Sequence, residues 1–162
     1  MTTVAELDAA GDDRAAELLS ECCGSSRWVR EMIARRPFGS RDVMLRAADE
    51  IWNSLDARDW LEAFSHHPRI GERASGIAGR EQSGTAGAGN QTLRELTAAN
   101  REYERRFGYI YIVCATGKSA GEMLAIARER LSNDPDTELG VAAREQLKIT
   151  RLRLQKLLED ER

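Results

Sequence analysis

With 162 residues, 41% hydrophobic and 31% charged, the chain has material for one domain with a real core and too little to argue for two. A formal net charge of -3 and a pI of about 5.5 exclude a global field that attracts nucleic acid, so such binding would need a local basic surface. No apolar run approaches the roughly 20 residues that span a bilayer, which leaves no expectation of a membrane partner.

The start, Met1-Thr2-Thr3-Val4-Ala5-Glu6, lacks a basic n-region and an apolar h-region, and Glu159-Asp160-Glu161-Arg162 is not a peroxisomal tripeptide. The expected compartment is cytoplasmic. Three cysteines, Cys22, Cys23 and Cys114, form no even disulfide framework. The two histidines are the neighbours His66 and His67 and no C-x-x-C pair exists, so no metal is expected.

In chain order, residues 12–22 put Ala15, Leu18, Leu19 and Cys22 on one helical side, with Asp12 and Asp13 at its positive end. Ser25 or Ser26 caps a short second helix carrying Trp28, Val29, Met32 and Ile33. Pro37-Phe38-Gly39 interrupts it, and Ser40 caps the next, whose apolar surface is Val43, Leu45, Ala47, Ala48, Ile51, Trp52 and Leu55. Asp56-Ala57-Arg58-Asp59 turns the chain into a short segment from Trp60 to Phe64. The three tryptophans read as core residues rather than a base-stacking array.

From Ser65 to Gly89 glycines crowd the sequence and weaken any continuous helix. An amphipathic helix follows, about Asn90 to Phe107, with Leu93, Leu96, Ala99, Asn100, Tyr103 and Phe107 at intervals of three or four. Tyr109-Ile110-Tyr111-Ile112-Val113-Cys114 is strand-like, but a lone strand has no partner for its backbone groups. It either pairs in an oligomer or is an extended, buried connection. Thr116 or Ser119 caps a helix from about Ala120 to Leu131, and Asn133-Asp134-Pro135 breaks it. Asp134 or Asp136 starts the last helix, with an apolar stripe of Leu139, Ala143, Leu147, Leu154 and Leu158 and a polar face of Lys148, Arg151 and Arg153. The expected fold is all-α: a single compact multi-helix domain over residues 1–162 with an extended central connection.

Four features bear chemistry. His67 lies in Phe64-Ser65-His66-His67-Pro68-Arg69-Ile70-Gly71, held out of α geometry by the proline after it, and an imidazole exchanges protons near neutral pH. In isolation the blander reading is a helix-capping or exposed histidine. Glu81-Gln82 sets a carboxylate beside a carboxamide among glycines, a set able to hold a polar ligand, although in isolation a solvated loop or first helical turn is the favoured reading. Thr116-Gly117-Lys118-Ser119 contains Gly-Lys-Ser, but the phosphate-loop pattern needs a glycine where Ile112 stands. Arg151 and Arg153 can each bind a carboxylate through a guanidinium fork, and helical spacing does not choose between them.

Together these landmarks resemble the OHCU decarboxylase family, whose substrate is 2-oxo-4-hydroxy-4-carboxy-5-ureidoimidazoline (OHCU). The resemblance rests on Phe64 with His67-Pro68-Arg69-Ile70-Gly71, on Glu81-Gln82, on Asn100, Tyr103 and Phe107-Gly108, on Tyr111-Ile112-Val113-Cys114-Ala115-Thr116-Gly117, and on Lys148-Ile149 with Leu152-Arg153-Leu154. It covers nearly the whole chain in order. It implies an all-helical, usually homodimeric lyase of urate degradation that uses no metal or organic cofactor and yields S-allantoin and carbon dioxide. His67 matches the catalytic histidine, Glu81 the active-site carboxylate, Gln82 a substrate-binding amide and Arg153 the substrate-anchoring arginine. The backbone of Tyr111, Ile112, Val113, Cys114 and Ala115 matches a substrate-contacting stretch, which favours the buried connection over a strand. One departure stands out: the family often has serine three residues before Glu-Gln, and here that position is Ala78.

The nearest alternative in chemistry is a cofactor-free decarboxylase or lyase for a related ureido acid. A helical protein-interaction domain, with His67 and Glu81 structural, predicts partner binding without carbon dioxide release. A nucleic-acid module ranks last.

Overall fold

The computed structural model describes residues 2–70 and 89–158, and the ordered elements among them are all helical. They are α1 (Val4–Ala9), α2 (Asp12–Cys22), α3 (Ser26–Ala34), α4 (Arg41–Ser54), α5 (Ala57–Phe64), α6 (Asn90–Phe107), α7 (Ala120–Arg130) and α8 (Pro135–Leu157). Two compact units divide the chain: Met1–Ala63 with Leu147–Arg162, and Phe64–Gln146. No described helix is long and apolar enough to cross a membrane.

In the first unit α2 packs on α3, and α3 on α4. The starts of α1, α3, α4 and α5 follow side-chain capping chemistry, whereas α2 starts after Gly11 without such a bond. The Ser25 hydroxyl accepts from Trp28 N–H at 3.2 Å and Ser40 from Val43 N–H at 3.2 Å, as their positions before apolar runs predict. The short α1 has no periodicity to reveal it, yet Thr3 caps it by accepting from Glu6 N–H at 3.1 Å. Its last carbonyls, on Leu7 and Ala10, accept from Arg36 Nη1 at 2.8 and 2.7 Å. Asp56 to Asp59, read as a turn, instead opens α5: the Asp56 carboxylate accepts from Asp59 N–H at 3.2 Å.

The core of this unit includes Leu7, Leu19, Trp28, Met32, Met44, Ile51 and Trp52. Trp28 and Trp52 are buried, and Trp60 is half-buried with its ring 6.1 Å from that of Trp52. Val43, expected on the apolar face of α4, is 44% exposed, and Met44 takes its place in phase with Ala48, Ile51 and Leu55. Cys23 is fully buried, and burial pushes its thiol up to about 11 from an ordinary 9.0. Its folded value lies above the unfolded one, so folding retains the proton. Stability is full below about pH 9 and is lost as pH rises through 11. Denaturant melts across pH 8 to 11 should show that decline, and Cys23→Ser should flatten it.

In the second unit α6 packs on α7. The face of α6 follows the sequence reading: Leu96, Ala99, Asn100 and Tyr103 are buried, and Leu93 and Phe107 pack at the edge of the same core. Gly108 ends this helix at φ +85°, a left-handed conformation that explains why glycine follows Phe107. Ser119 starts α7 in a reciprocal capping box with Glu122, so the Gly-Lys-Ser motif is a helix start. Asp134 accepts from Thr137 N–H at 2.8 Å and starts α8, with Pro135 in the first turn where no N–H is needed.

The last helix corrects the expected stripe. Ala143, Leu154 and Leu158 are buried, whereas Leu139 and Leu147 are only partly so. Glu138, Ala142 and Gln146 are fully buried in its first half and Glu145 is buried too, so two carboxylates and an amide occupy the face that periodicity gave to leucines.

Candidate active site

Residues 110–115 are neither helix nor strand, and Tyr111 to Ala115 are buried. The strand-like composition is therefore overridden, because no second strand is present among the described residues to pair with it. Buried backbone groups still require partners, and charged side chains supply them. Arg130 Nη1 donates to the Ile112 carbonyl at 2.6 Å. The Cys114 N–H donates to Glu145 Oε1 at 3.1 Å, and Lys118 Nζ donates to the Cys114 carbonyl at 2.8 Å. The Tyr111 hydroxyl donates to the Met123 carbonyl at 2.8 Å, tying the segment to α7. The lysine of the apparent phosphate motif is thus engaged by the preceding backbone.

Beneath this segment lies a buried charge pair. Arg130 donates from Nε to Glu138 Oε2 at 2.8 Å, and its Nη2 also reaches that oxygen. Glu138 is fully buried; the Tyr103 hydroxyl donates to Oε2 and Asn133 Nδ2 donates to Oε1 at 3.0 Å. Burial works against the Arg130 charge, and the bonded Glu138 more than offsets it, raising its pKa. Burial, and then the hydrogen bond to Glu138, push the Tyr103 phenol upward, so Tyr103 remains a neutral donor. The Arg130 guanidinium also sits 5.6 and 5.0 Å from the ring centres of Tyr103 and Tyr111.

His67 follows the end of α5, where its N–H donates to the Phe64 carbonyl at 3.2 Å. The ring is half-buried, and its Nε2 lies 2.5 Å from Gln146 Oε1. An amide carries both a donor and an acceptor, so Gln146 fixes the orientation of the ring at Nε2. Gln146 directly follows Glu145. Consecutive positions of α8 therefore hold the His67 ring and the Cys114 backbone, which brings those two sequence-expected features into one neighbourhood.

Arg153 belongs to the first unit, is half-buried and donates from Nη1 to the Glu21 carbonyl at 3.5 Å. Arg151, its competitor for carboxylate binding, is ion-paired with Asp49 at 2.5 Å. Glu81, Gln82 and Ala78 lie outside the described residues. Glu145, Gln146, Arg130 and Glu138 escaped the sequence reading. The usable signal was on α8, where Glu138, Glu145 and Gln146 recur in helical phase with the small Ala142 and the apolar Ile149.

Three comparisons with known proteins bear on this arrangement. The chain is 38% identical over 148 residues to the uric acid degradation bifunctional protein TTL of Arabidopsis thaliana, covering 86% of this chain and 46% of that protein. It is 28% identical over 166 residues to the uric acid degradation bifunctional protein PucL of Bacillus subtilis (strain 168), covering 99% of this chain and 33% of that protein. The chain thus spans less than half the length of either relative. A solved structure, an OHCU decarboxylase crystallised in the presence of (S)-allantoin, is 40% identical with a TM-score of 0.82, covering 93% of this chain and 100% of that one. The family model described as OHCU decarboxylase matches residues 8–155, nearly the whole chain and both of its units, and the chain belongs to that family.

Proposed function

We propose that this protein catalyses the cofactor-free decarboxylation of OHCU to S-allantoin and carbon dioxide in urate degradation. The carrying observation is the Glu145–Gln146 pair on α8, one residue holding the Cys114 backbone and the next holding the His67 ring. Family membership and the likeness to a decarboxylase crystallised with (S)-allantoin support the same reading. On this reading residues 1–162 act as one functional domain, in keeping with a family match that runs through both units. The reading extends to a cytoplasmic homodimer without metal, nucleic-acid or membrane partners.

The chemistry needs no external electron sink. C4 of the substrate carries hydroxyl and carboxylate, and the neighbouring C5=N bond accepts electrons. As the bond from C4 to the carboxylate breaks, its electron pair forms C4=C5, and the C5=N pair moves onto nitrogen, which takes a proton. The resulting enol then loses the C4 hydroxyl proton and gains a proton at C5, giving allantoin. His67 exchanges the C4 hydroxyl proton. Glu81 bonds the ureido or ring nitrogens and orients the departing carboxylate, while Gln82 fixes substrate polar groups. The backbone of Tyr111 to Ala115 contacts the substrate. Orientation and fixed polar groups supply the rate enhancement.

Arg153 anchors the substrate in this scheme, a choice over Arg151 supported by the ion pair that Arg151 makes with Asp49. Arg153→Ala is expected to raise KM by roughly 10- to 100-fold, the worth of a hydrogen bond to a charged group. Arg151→Ala loses a partly exposed ion pair worth about 0–1 kcal/mol of stability and should leave KM within about twofold.

The testing experiment is saturation kinetics of carbon dioxide release from freshly generated OHCU, corrected for spontaneous decay, beside the same assay on related ureido acids. Saturable acceleration with OHCU as the preferred substrate supports the proposal. Faster turnover of another ureido acid, for which Ala78 in place of serine is the motivating departure, would transfer the assignment to that acid.

A further inference from the structure

We propose that Arg130 and Glu138 are a positioning pair that fixes the backbone of residues 111–115 in its substrate-facing form. The inference rests on the reading above that this backbone touches substrate. Arg130 and Glu138 are themselves buried, and the pair acts through Ile112.

Removing two charges from water costs about as much as their attraction returns, so well-packed apolar replacements are often neutral or stabilising. Simple stability therefore does not account for an arginine and a glutamate here. Geometry does. The guanidinium is planar with donors in a fixed fork. Its Nε and Nη2 are spent on Glu138, which leaves Nη1 aimed at the Ile112 carbonyl at 2.6 Å.

Glu138 is fixed in turn. Tyr103 on α6 donates to Oε2, and Asn133, just beyond α7, donates to Oε1. One carboxylate thus ties α6, the end of α7 and the first turns of α8 to the arginine that grips the irregular segment. Glu145 and Lys118 hold the next two peptide groups, at Cys114 N–H and at the Cys114 carbonyl. An irregular buried backbone lacks the repeating bonds of a sheet, so its path is set by these few side chains. The Arg130 grip at Ile112 is itself held by the fully buried Glu138.

The test uses the paired apolar variant R130M/E138L. Three readouts are compared with wild type: melting temperature, amide hydrogen exchange at Ile112 to Cys114, and steady-state kinetics on OHCU. The expected result is a folded protein whose melting temperature falls because the Ile112 carbonyl, Tyr103 and Asn133 lose partners, and exchange at least about tenfold faster in that segment. The kcat should fall by about tenfold or more with a smaller change in KM, because misplacement of contacting groups acts on the reacting geometry.

Unchanged exchange and unchanged kcat in a folded variant overturn the proposal. A merely structural pair would lower the melting temperature while leaving kcat per folded molecule intact. Should the double variant not fold, R130K serves. Its single ammonium lacks the fork that grips Glu138 and Ile112 together, so the proposal requires a folded protein with faster exchange and reduced kcat, and wild-type values for both would overturn it. The exchange readout needs no substrate. A wild type inert toward OHCU would therefore sink the proposed reaction, and unaltered exchange would sink the positioning pair.

Discussion

His67→Asn is expected to lower kcat on OHCU by about two to four orders of magnitude, with a melting temperature close to wild type. Asparagine can still meet Gln146 through an amide group, so the polar contact at α8 survives while the exchangeable imidazole proton is lost. His67 is half-buried at the end of a helix, so the substitution opens no large core cavity. The pH profile supplies the second check. A histidine acting as the exchanging group gives wild-type kcat/KM a pH-dependent limb, and the variant's residual activity should lack it. Full turnover in folded H67N would remove the histidine from the mechanism and leave orientation and backbone contacts as the source of rate.

The second large effect is on stability. Glu138→Leu alone is expected to cost about 3–5 kcal/mol in denaturant melts, because it leaves the buried Arg130 charge without its partner. Tyr103 and Asn133 also lose their acceptor in that variant. R130M/E138L should recover the part of the loss that comes from the unpaired Arg130 charge. The contrast between single and double variants is the diagnostic, since independent contributions would add instead. A double variant as unstable as the two single losses together would mean that each residue contributes separately.

Much of the helical frame was legible in the sequence for local reasons. The α2 and α6 bounds follow from charge at a helix start, recurring apolar residues and a terminal glycine, and Ser25, Ser40 and Ser119 cap where their positions predict. What local reasoning misread has a common cause. Tyr109 to Cys114 carries β-favouring side chains, yet its backbone groups find charged partners on α7 and α8 rather than a strand. Leu139 and Leu147 appeared inward because leucine ordinarily is, whereas Glu138, Glu145 and Gln146 take the buried face where backbone and ring need acceptors. A buried carboxylate is intelligible only once its donor is known, and those donors lie 8 and 31 residues away in sequence. His67 was singled out by the proline beside it, but the amide that orients it was invisible because Gln146 has no motif.

The most direct measurement is the handedness of the allantoin formed from OHCU by the wild-type protein, followed by circular dichroism during turnover. The enol left by carbon dioxide loss is planar at C5, so uncatalysed protonation gives no excess of either hand. The account predicts accelerated formation of allantoin with S in clear excess, since a site that holds the substrate against one backbone segment delivers the proton to one face. Racemic allantoin formed at the uncatalysed rate, with folded protein and substrate both present, would contradict it.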